Sequence, residues 1–340
     1  MYISADNLDD LIHKTFAKII KIKRPILTSR GEILEITGAV LKIKKPRYRL
    51  SHSETRGLLF SCLGELFWYL SGSDNLKFIT YYIPLYKDES ADGITVEGAY
   101  GPRLFNKEGD IDQVENIIKL LSKKNSSKQA VIQLFDARDL KSEIKSLPCT
   151  CTLQFMIRDG ALHMFTHMRS NDAYTGLPHD IFAFTMIQEI IANILNVKLG
   201  TYSHLVNSLH IYTKDLQKAK NYLEEGWQDV QAMPAMPKVN VLDSLSWIKN
   251  IEEQIRLGRS VSIDGEPFDD YWKDIARLLV IFSHFKKGRR EDFRKIVNLR
   301  NKLTTQCYEK YIRKRGRHLT ESPNQPSLPF DTNANSNTKI

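Results

Sequence analysis

The chain has 340 residues, 42% of them hydrophobic and 26% charged, values that suit a globular protein and exclude a fibrous or low-complexity chain. No apolar run approaches the roughly 18–20 residues of a membrane helix, Met1 to Leu11 lacks the basic and apolar regions of a signal peptide, and four cysteines are too few for a disulfide framework. A reduced, soluble, cytoplasmic protein is the expectation. The net charge of +9 is concentrated, because residues 286 to 317 hold 13 Lys and Arg against 3 acids, which leaves the rest of the chain near neutral.

In chain order, residues 7 to 22 have an amphipathic helical pattern, and residues 32 to 50 read as strand material interrupted at Gly38. A helix follows from about Ser53 to Tyr69, apolar over Leu58 to Leu70 except for Glu65. A second is expected near Asn75 to Tyr81, then an irregular stretch to Phe105. Ile111 to Lys123 reads as a helix and Gln129 to Leu134 as a strand. Thr150 to Met168 reads as two strands joined at Asp159-Gly160, a strong turn pair. The nearly all-apolar helix from Pro178 to Leu195 has no polar face to give to water and must be buried. Strand material at Lys198 to Val206 and His210 to Tyr212 completes an α+β domain of residues 1–240. Residues 241–318 form a basic helical extension, with helices at 242–257, 269–285 and 291–313. Residues 319–340, rich in Asn, Pro, Ser and Thr, are expected to be disordered.

Several residues could carry chemistry, each with a plainer alternative. Cys149 follows a proline at a strand start, where a substrate can reach it, yet Cys149 and Cys151 could both be small buried hydrophobes; in a regular strand the two point the same way. No second cysteine pair or matching histidine pair stands nearby, so no metal is expected. Glu65 lies in Leu63-Gly64-Glu65-Leu66-Phe67-Trp68, where a charge must be paired, protonated or functional; a raised pKa would suit a proton carrier. Arg169 and Ser170 suit a phosphate, or Arg169 pairs with Asp172. Asp180 falls in the first turn of the buried helix, where it could simply complement the helix dipole. His210 and Tyr212 alternate on a strand and could bind one ligand or pair within the core.

Taken in order, the motifs over residues 8 to 238 resemble the thymidylate synthase family: Glu65 to Leu70, Tyr100-Gly101, Pro148-Cys149 with Gln154-Phe155, Arg169-Ser170-x-Asp172 followed by Gly176-Leu177-Pro178, and His210-Ile211-Tyr212. The resemblance implies a thymidylate-synthase-like sheet with packed helices, a homodimer, and 5,10-methylenetetrahydrofolate as co-substrate. It makes Cys149 the nucleophile at C6 of a pyrimidine nucleoside monophosphate, with Arg169 stabilising the thiolate and gripping the 5′-phosphate. Glu65 would order water and relay protons, and Tyr100 would help the C5 proton leave. Ser170, Gln154, His210, Tyr212, an N-terminal Arg30 and Lys128, contributed across the dimer, would bind the nucleotide; Asp172, Tyr86 and Gly176 would meet the folate.

Where the methylating enzymes of the family carry Asn, this chain has Asp180. A carboxyl group accepts from the cytosine 4-amino group and, when protonated, donates to N3. With Met168 to Asp172, Cys149 to Gln154 and Ser208 to Tyr212, the chain is most similar to the deoxycytidylate and cytidylate hydroxymethylases of the family. Methylation of deoxyuridylate is the alternative within the family. The basic extension allows a third reading, a nucleotide-binding or nucleic-acid-binding relative with little catalysis, although a solvated or packing helical face explains those charges more simply.

Overall fold

The computed structural model describes residues 1–55, 57–141 and 144–317. Seven strands form one mixed sheet: β1 (Tyr2–Ala5), β2 (Ile26–Thr28), β3 (Gly31–Ile43), β4 (Val131–Gln133), β5 (Thr150–Arg158), β6 (Ala161–Asp172) and β7 (Lys198–Tyr212). Their order is β1-β3-β7-β6-β5-β4, with β2 also paired to β3. β5 and β6 form the expected hairpin, and Asp159 and Gly160 both take the positive φ (51° and 71°) that a tight two-residue turn requires. β6 and β7 run parallel, Asp172 beside His210, so their ends deliver side chains to one place.

Along β6, Leu162, Met164, Thr166 and Met168 are buried while His163, Phe165 and His167 alternate on the more open face. The helices are α1 (Leu8–Ile19), α2 (Leu59–Leu70), α3 (Leu76–Tyr82), α4 (Tyr100–Phe105), α5 (Gln113–Lys123), α6 (Leu177–Ile194), α7 (Leu216–Glu224), α8 (Val241–Arg256), α9 (Asp270–Lys287), α10 (Arg290–Asn301) and α11 (Glu309–Arg317). α6 is the buried helix its composition requires: from Leu177 to Asn193 only His179 escapes full burial. It packs on β6 and β7 and also meets α2 and α8. Gly64 lets α2 and α3 close together, since a Cβ there would lie 2.0 Å from the Tyr82 ring. The result is the expected α+β fold, one mixed sheet with helices packed against it.

Three expectations change. The helix drawn from Ser53 starts at Leu59, because α11 binds carbonyls of the preceding segment: Tyr311 donates to the Ser51 carbonyl at 2.7 Å, and Lys310 and Lys314 to those of His52 and Glu54. The single helix over 291–313 is two, α10 and α11. Thr304 bonds Asp274 through its N–H (2.9 Å) and its hydroxyl (2.7 Å), which pulls the chain out of helical geometry between them. The two strand pieces of 198–212 are one strand. The tail from 319 to 340 lies outside the described residues. The basic segment has internal uses for its charge: Arg289 and Lys295 face Asp292, Lys302 faces Asp264, Lys310 and Arg317 face Glu54, and Arg315 stacks over Phe282.

One buried pair ties α6 to its surroundings. Arg49, 1% exposed, bonds Glu189 and the Pro46 carbonyl, while Glu189 also accepts from the Met236 N–H. Glu189→Ala leaves that guanidinium buried and uncompensated, so urea denaturation should show a loss of about 3–5 kcal/mol. A loss below about 1 kcal/mol, the size of an exposed pair, would contradict this.

Candidate active site

A cleft of about 630 Å³ opens where β6 and β7 end, walled by α2, the 3-10 turn Pro84–Glu89 and residues 145–149. Arg30, Glu65, Tyr86, Tyr100, Cys149, Arg169, Ser170, Asp172, Gly176, Asp180, His210 and Tyr212 all line it. Gln154 and Lys128 do not: the Gln154 amide, on β5 beside the edge strand β4, donates to the Lys128 carbonyl at 2.9 Å. Among the described residues no cluster of metal-ligating side chains occurs, and no helix is long and apolar enough to cross a membrane.

Cys149 reaches the cleft because the strand is irregular there. A bulge between Thr150 and Thr152 removes Cys151 from the alternation, so of this pair only Cys149 lines the cleft. Arg169 is fastened to the same segment: Nε donates to the Pro148 carbonyl (2.9 Å), Nη2 to the Leu147 carbonyl (3.0 Å), and Nη2 lies 3.8 Å from Cys149 Sγ. Burial pushes the thiol above its ordinary value; Arg169 pulls it back, and Arg30 does so more weakly. The sign is testable by following iodoacetamide alkylation of Cys149 by peptide mapping. Its rate should rise with pH with a midpoint above that of a free cysteine, and Arg169→Met should move the midpoint higher still. An unchanged or lower midpoint in the variant would show that the guanidinium does not act on the sulfur.

The Tyr100 hydroxyl accepts from both the N–H (3.1 Å) and the side chain (3.0 Å) of Thr150, so its own proton is left for the cleft. Burial raises Tyr100 well above the usual phenol range and keeps that proton in place. Glu65 is buried on α2, and it has no cationic partner among the described residues, which removes the structural ion pair as an explanation. Instead its Oε1 accepts from Tyr86 at 2.5 Å, while Oε2 is buried without a hydrogen bond. Asp180 Oδ2 accepts from the Asn171 amide at 2.6 Å. Burial first and the Glu65 charge second hold Asp180 well above the usual carboxylate range, against the pull of the Asn171 bond.

At the other end of the cleft, Arg169 and Asp172 are not paired; Asp172 instead accepts from the Tyr174 N–H at 2.9 Å. His210 packs edge-on against Tyr212 at 5.2 Å and approaches Ser208, which bonds Glu35. Arg30 is held by Glu89 in a two-pronged pair at 2.7 and 3.0 Å, so a phosphate would have to compete with that carboxylate. Sequence reasoning gave Glu89, His179, Trp68 and Asn171 no role of their own, although all line the cleft. It also passed over His204, whose signal was present: a histidine on the buried parity of β7, between Tyr202 and Val206.

The sequence model of the thymidylate synthase family matches residues 36–252. A deoxyuridylate hydroxymethyltransferase of Delftia phage PhiW-14 is 26% identical over 288 residues, covering 75% of this chain and 80% of that protein. Another of the same name, from Bacillus phage SP01, is 28% identical over 215 residues, covering 57% of this chain and 56% of that protein, so the chain spans about half of the second relative's length. Fold and comparisons define the class: an enzyme that transfers a one-carbon unit to C5 of a pyrimidine nucleotide. The chain belongs to the thymidylate synthase family, alongside members named as hydroxymethylases.

Proposed function

We propose that this enzyme hydroxymethylates C5 of a cytidine monophosphate, dCMP or CMP. The observation that carries the choice of base is Asp180, a buried carboxyl held toward its protonated form at the cleft wall. The acid matches cytosine, because its O–H donates to N3 and its second oxygen accepts from the 4-amino group. Uracil presents N3–H and O4, which reverse both demands.

In this reading the Cys149 thiolate adds to C6, and the C5–C6 double bond becomes a nucleophile at C5. Methylenetetrahydrofolate supplies a one-carbon unit at the oxidation level of formaldehyde: C5 bonds to its methylene carbon, and as the C5 proton leaves, the bond from that carbon to the folate nitrogen breaks, releasing tetrahydrofolate and leaving an exocyclic methylene on the base. Two orphaned polar atoms in the cleft support a second ligand beside the nucleotide: Trp68 Nε1 and Glu65 Oε2 are buried without hydrogen bonds. Trp68 and Tyr86, with ring centroids 5.2 Å apart, present an aromatic wall to a flat ring. Tyr100, its hydroxyl doubly braced by Thr150, takes part as the C5 proton leaves. Glu65 Oε2 is available to hold the water that adds to the exocyclic methylene carbon. The water oxygen forms the new C–O bond, the methylene π electrons return to the ring, the C6–Sγ bond breaks, and the net product is a CH₂OH group.

The second reading, action on deoxyuridylate, is favoured by the names of the two phage relatives. Mass spectrometry of products from dCMP, CMP and dUMP, each with methylenetetrahydrofolate, separates the two. A mass gain of one CH₂O on a cytidine nucleotide is expected. Turnover of dUMP alone, or formation of dihydrofolate with a methyl product, would overturn the reading.

A further inference from the structure

Behind Asp180 lies a row of polar side chains that the chemistry above leaves unused. The Tyr202 hydroxyl lies 2.7 Å from His204 Nδ1, His204 Nε2 lies 3.4 Å from Asn171 Oδ1, and Asn171 Nδ2 lies 2.6 Å from Asp180 Oδ2. All four residues are buried, Tyr202 and His204 completely. They sit on β7, on β6 and in the first turn of α6, so the sheet and its covering helix fix their spacing.

Donated from Tyr202 onward, the hydrogen bonds of this row all run toward Asp180. Burial raises Tyr202 well above the usual phenol range, so it keeps a proton that it can give to Nδ1. Burial also lowers His204 to about 3, so the ring is neutral, and with Nδ1 accepting from Tyr202 its one proton sits on Nε2. That N–H needs an acceptor, which turns the Asn171 oxygen toward it and the Asn171 NH₂ toward Asp180. An amide flipped the other way would set its NH₂ against that N–H.

We propose that Tyr202, His204 and Asn171 form a one-way hydrogen-bond relay that keeps Asp180 Oδ2 an acceptor, so that the acid proton rides on Oδ1 toward N3 of the base. These are positioning residues for base choice. The inference rests on the cytosine reading for its direction, but not for its test.

Binding of dCMP and dUMP without folate, measured by calorimetry, reads base choice apart from chemistry. Relative to the unmodified enzyme, Tyr202→Phe and His204→Leu should each lower the ratio of dCMP to dUMP affinity by about fivefold or more. His204→Gln, which keeps a donor facing Asn171, should hold the ratio within about twofold. Selective ¹⁵N-histidine NMR of the free enzyme, with His204 assigned by its loss in the Gln variant, should show Nε2 protonated and Nδ1 bare. Tyr202→Phe removes a single oxygen, so it keeps the test open if His204→Leu does not fold. A ratio unchanged in folded Tyr202→Phe, or an Nδ1-protonated His204, overturns the relay. A wild-type preference for dUMP overturns the cytosine reading alone, because the relay is judged on how the ratio changes between variants.

Discussion

Cys149→Ser is expected to lower kcat by at least about 10⁴-fold, because the serine hydroxyl has neither the acidity nor the nucleophilicity of a thiol and nothing beside it acts as a strong base. Among the described residues the cleft gives residue 149 no histidine partner: the Arg169 guanidinium lies at 3.8 Å, held by the Pro148 and Leu147 carbonyls. Such a setting can stabilise an anion but cannot deprotonate an alcohol. Nucleotide affinity should change little, since the Pro148 and Leu147 carbonyls hold the Arg169 guanidinium in place without the sulfur. Release of tritium from C5 of labelled nucleotide is the direct readout, because it requires prior addition at C6. Release by the serine variant at more than about a hundredth of the wild-type rate would place the nucleophile elsewhere.

Asp180→Asn is expected to invert base preference. For that the new amide must turn its oxygen to N3–H and its NH₂ to O4 of uracil, where it opposes the cytosine 4-amino group, so Asn171 must turn its own oxygen to residue 180 and the relay behind it reverses. Leaving one buried polar edge unpaired costs about 1–3 kcal/mol, so dCMP should weaken and dUMP strengthen by roughly 5- to 150-fold each. The pH dependence should change with it. Asp180 carries its proton below its raised pKa and loses it as pH rises through that value. Wild-type affinity for dCMP should therefore fall as pH rises through that range, while the variant, having no proton to lose there, should show no such limb. Unchanged base ratios in the variant would remove Asp180 from base recognition.

Much of this was legible in the sequence because the signals were local. The Asp159-Gly160 turn, the all-apolar α6 and the alternation of β6 are each determined by neighbouring residues, and the ordered motifs pointed to the cleft residues one by one. What stayed hidden depended on distant partners. Nothing near Arg30 in the chain announces Glu89, which meets it across the cleft mouth. The break between α10 and α11 depends on Asp274, thirty residues before Thr304. Glu65 could be seen to need an explanation, but the Tyr86 hydroxyl that bonds it comes from a turn 21 residues on. The bulge that separates Cys149 from Cys151 leaves no mark on an alternating pattern, since it is set by the pairing of β5 with β6. The Tyr202–His204–Asn171 row joins two strands that are neighbours only in space.

The central claim is a covalent bond between Cys149 and C6 of the substrate base, and a 5-fluoro nucleotide tests it most directly, because fluorine at C5 cannot leave as a proton does. Incubation with 5-fluoro-dCMP and methylenetetrahydrofolate, followed by intact-protein and peptide mass spectrometry, should show one nucleotide attached to the peptide that carries Cys149. An unmodified Cys149 in enzyme that still converts dCMP, or attachment at Cys151 instead, would contradict the account.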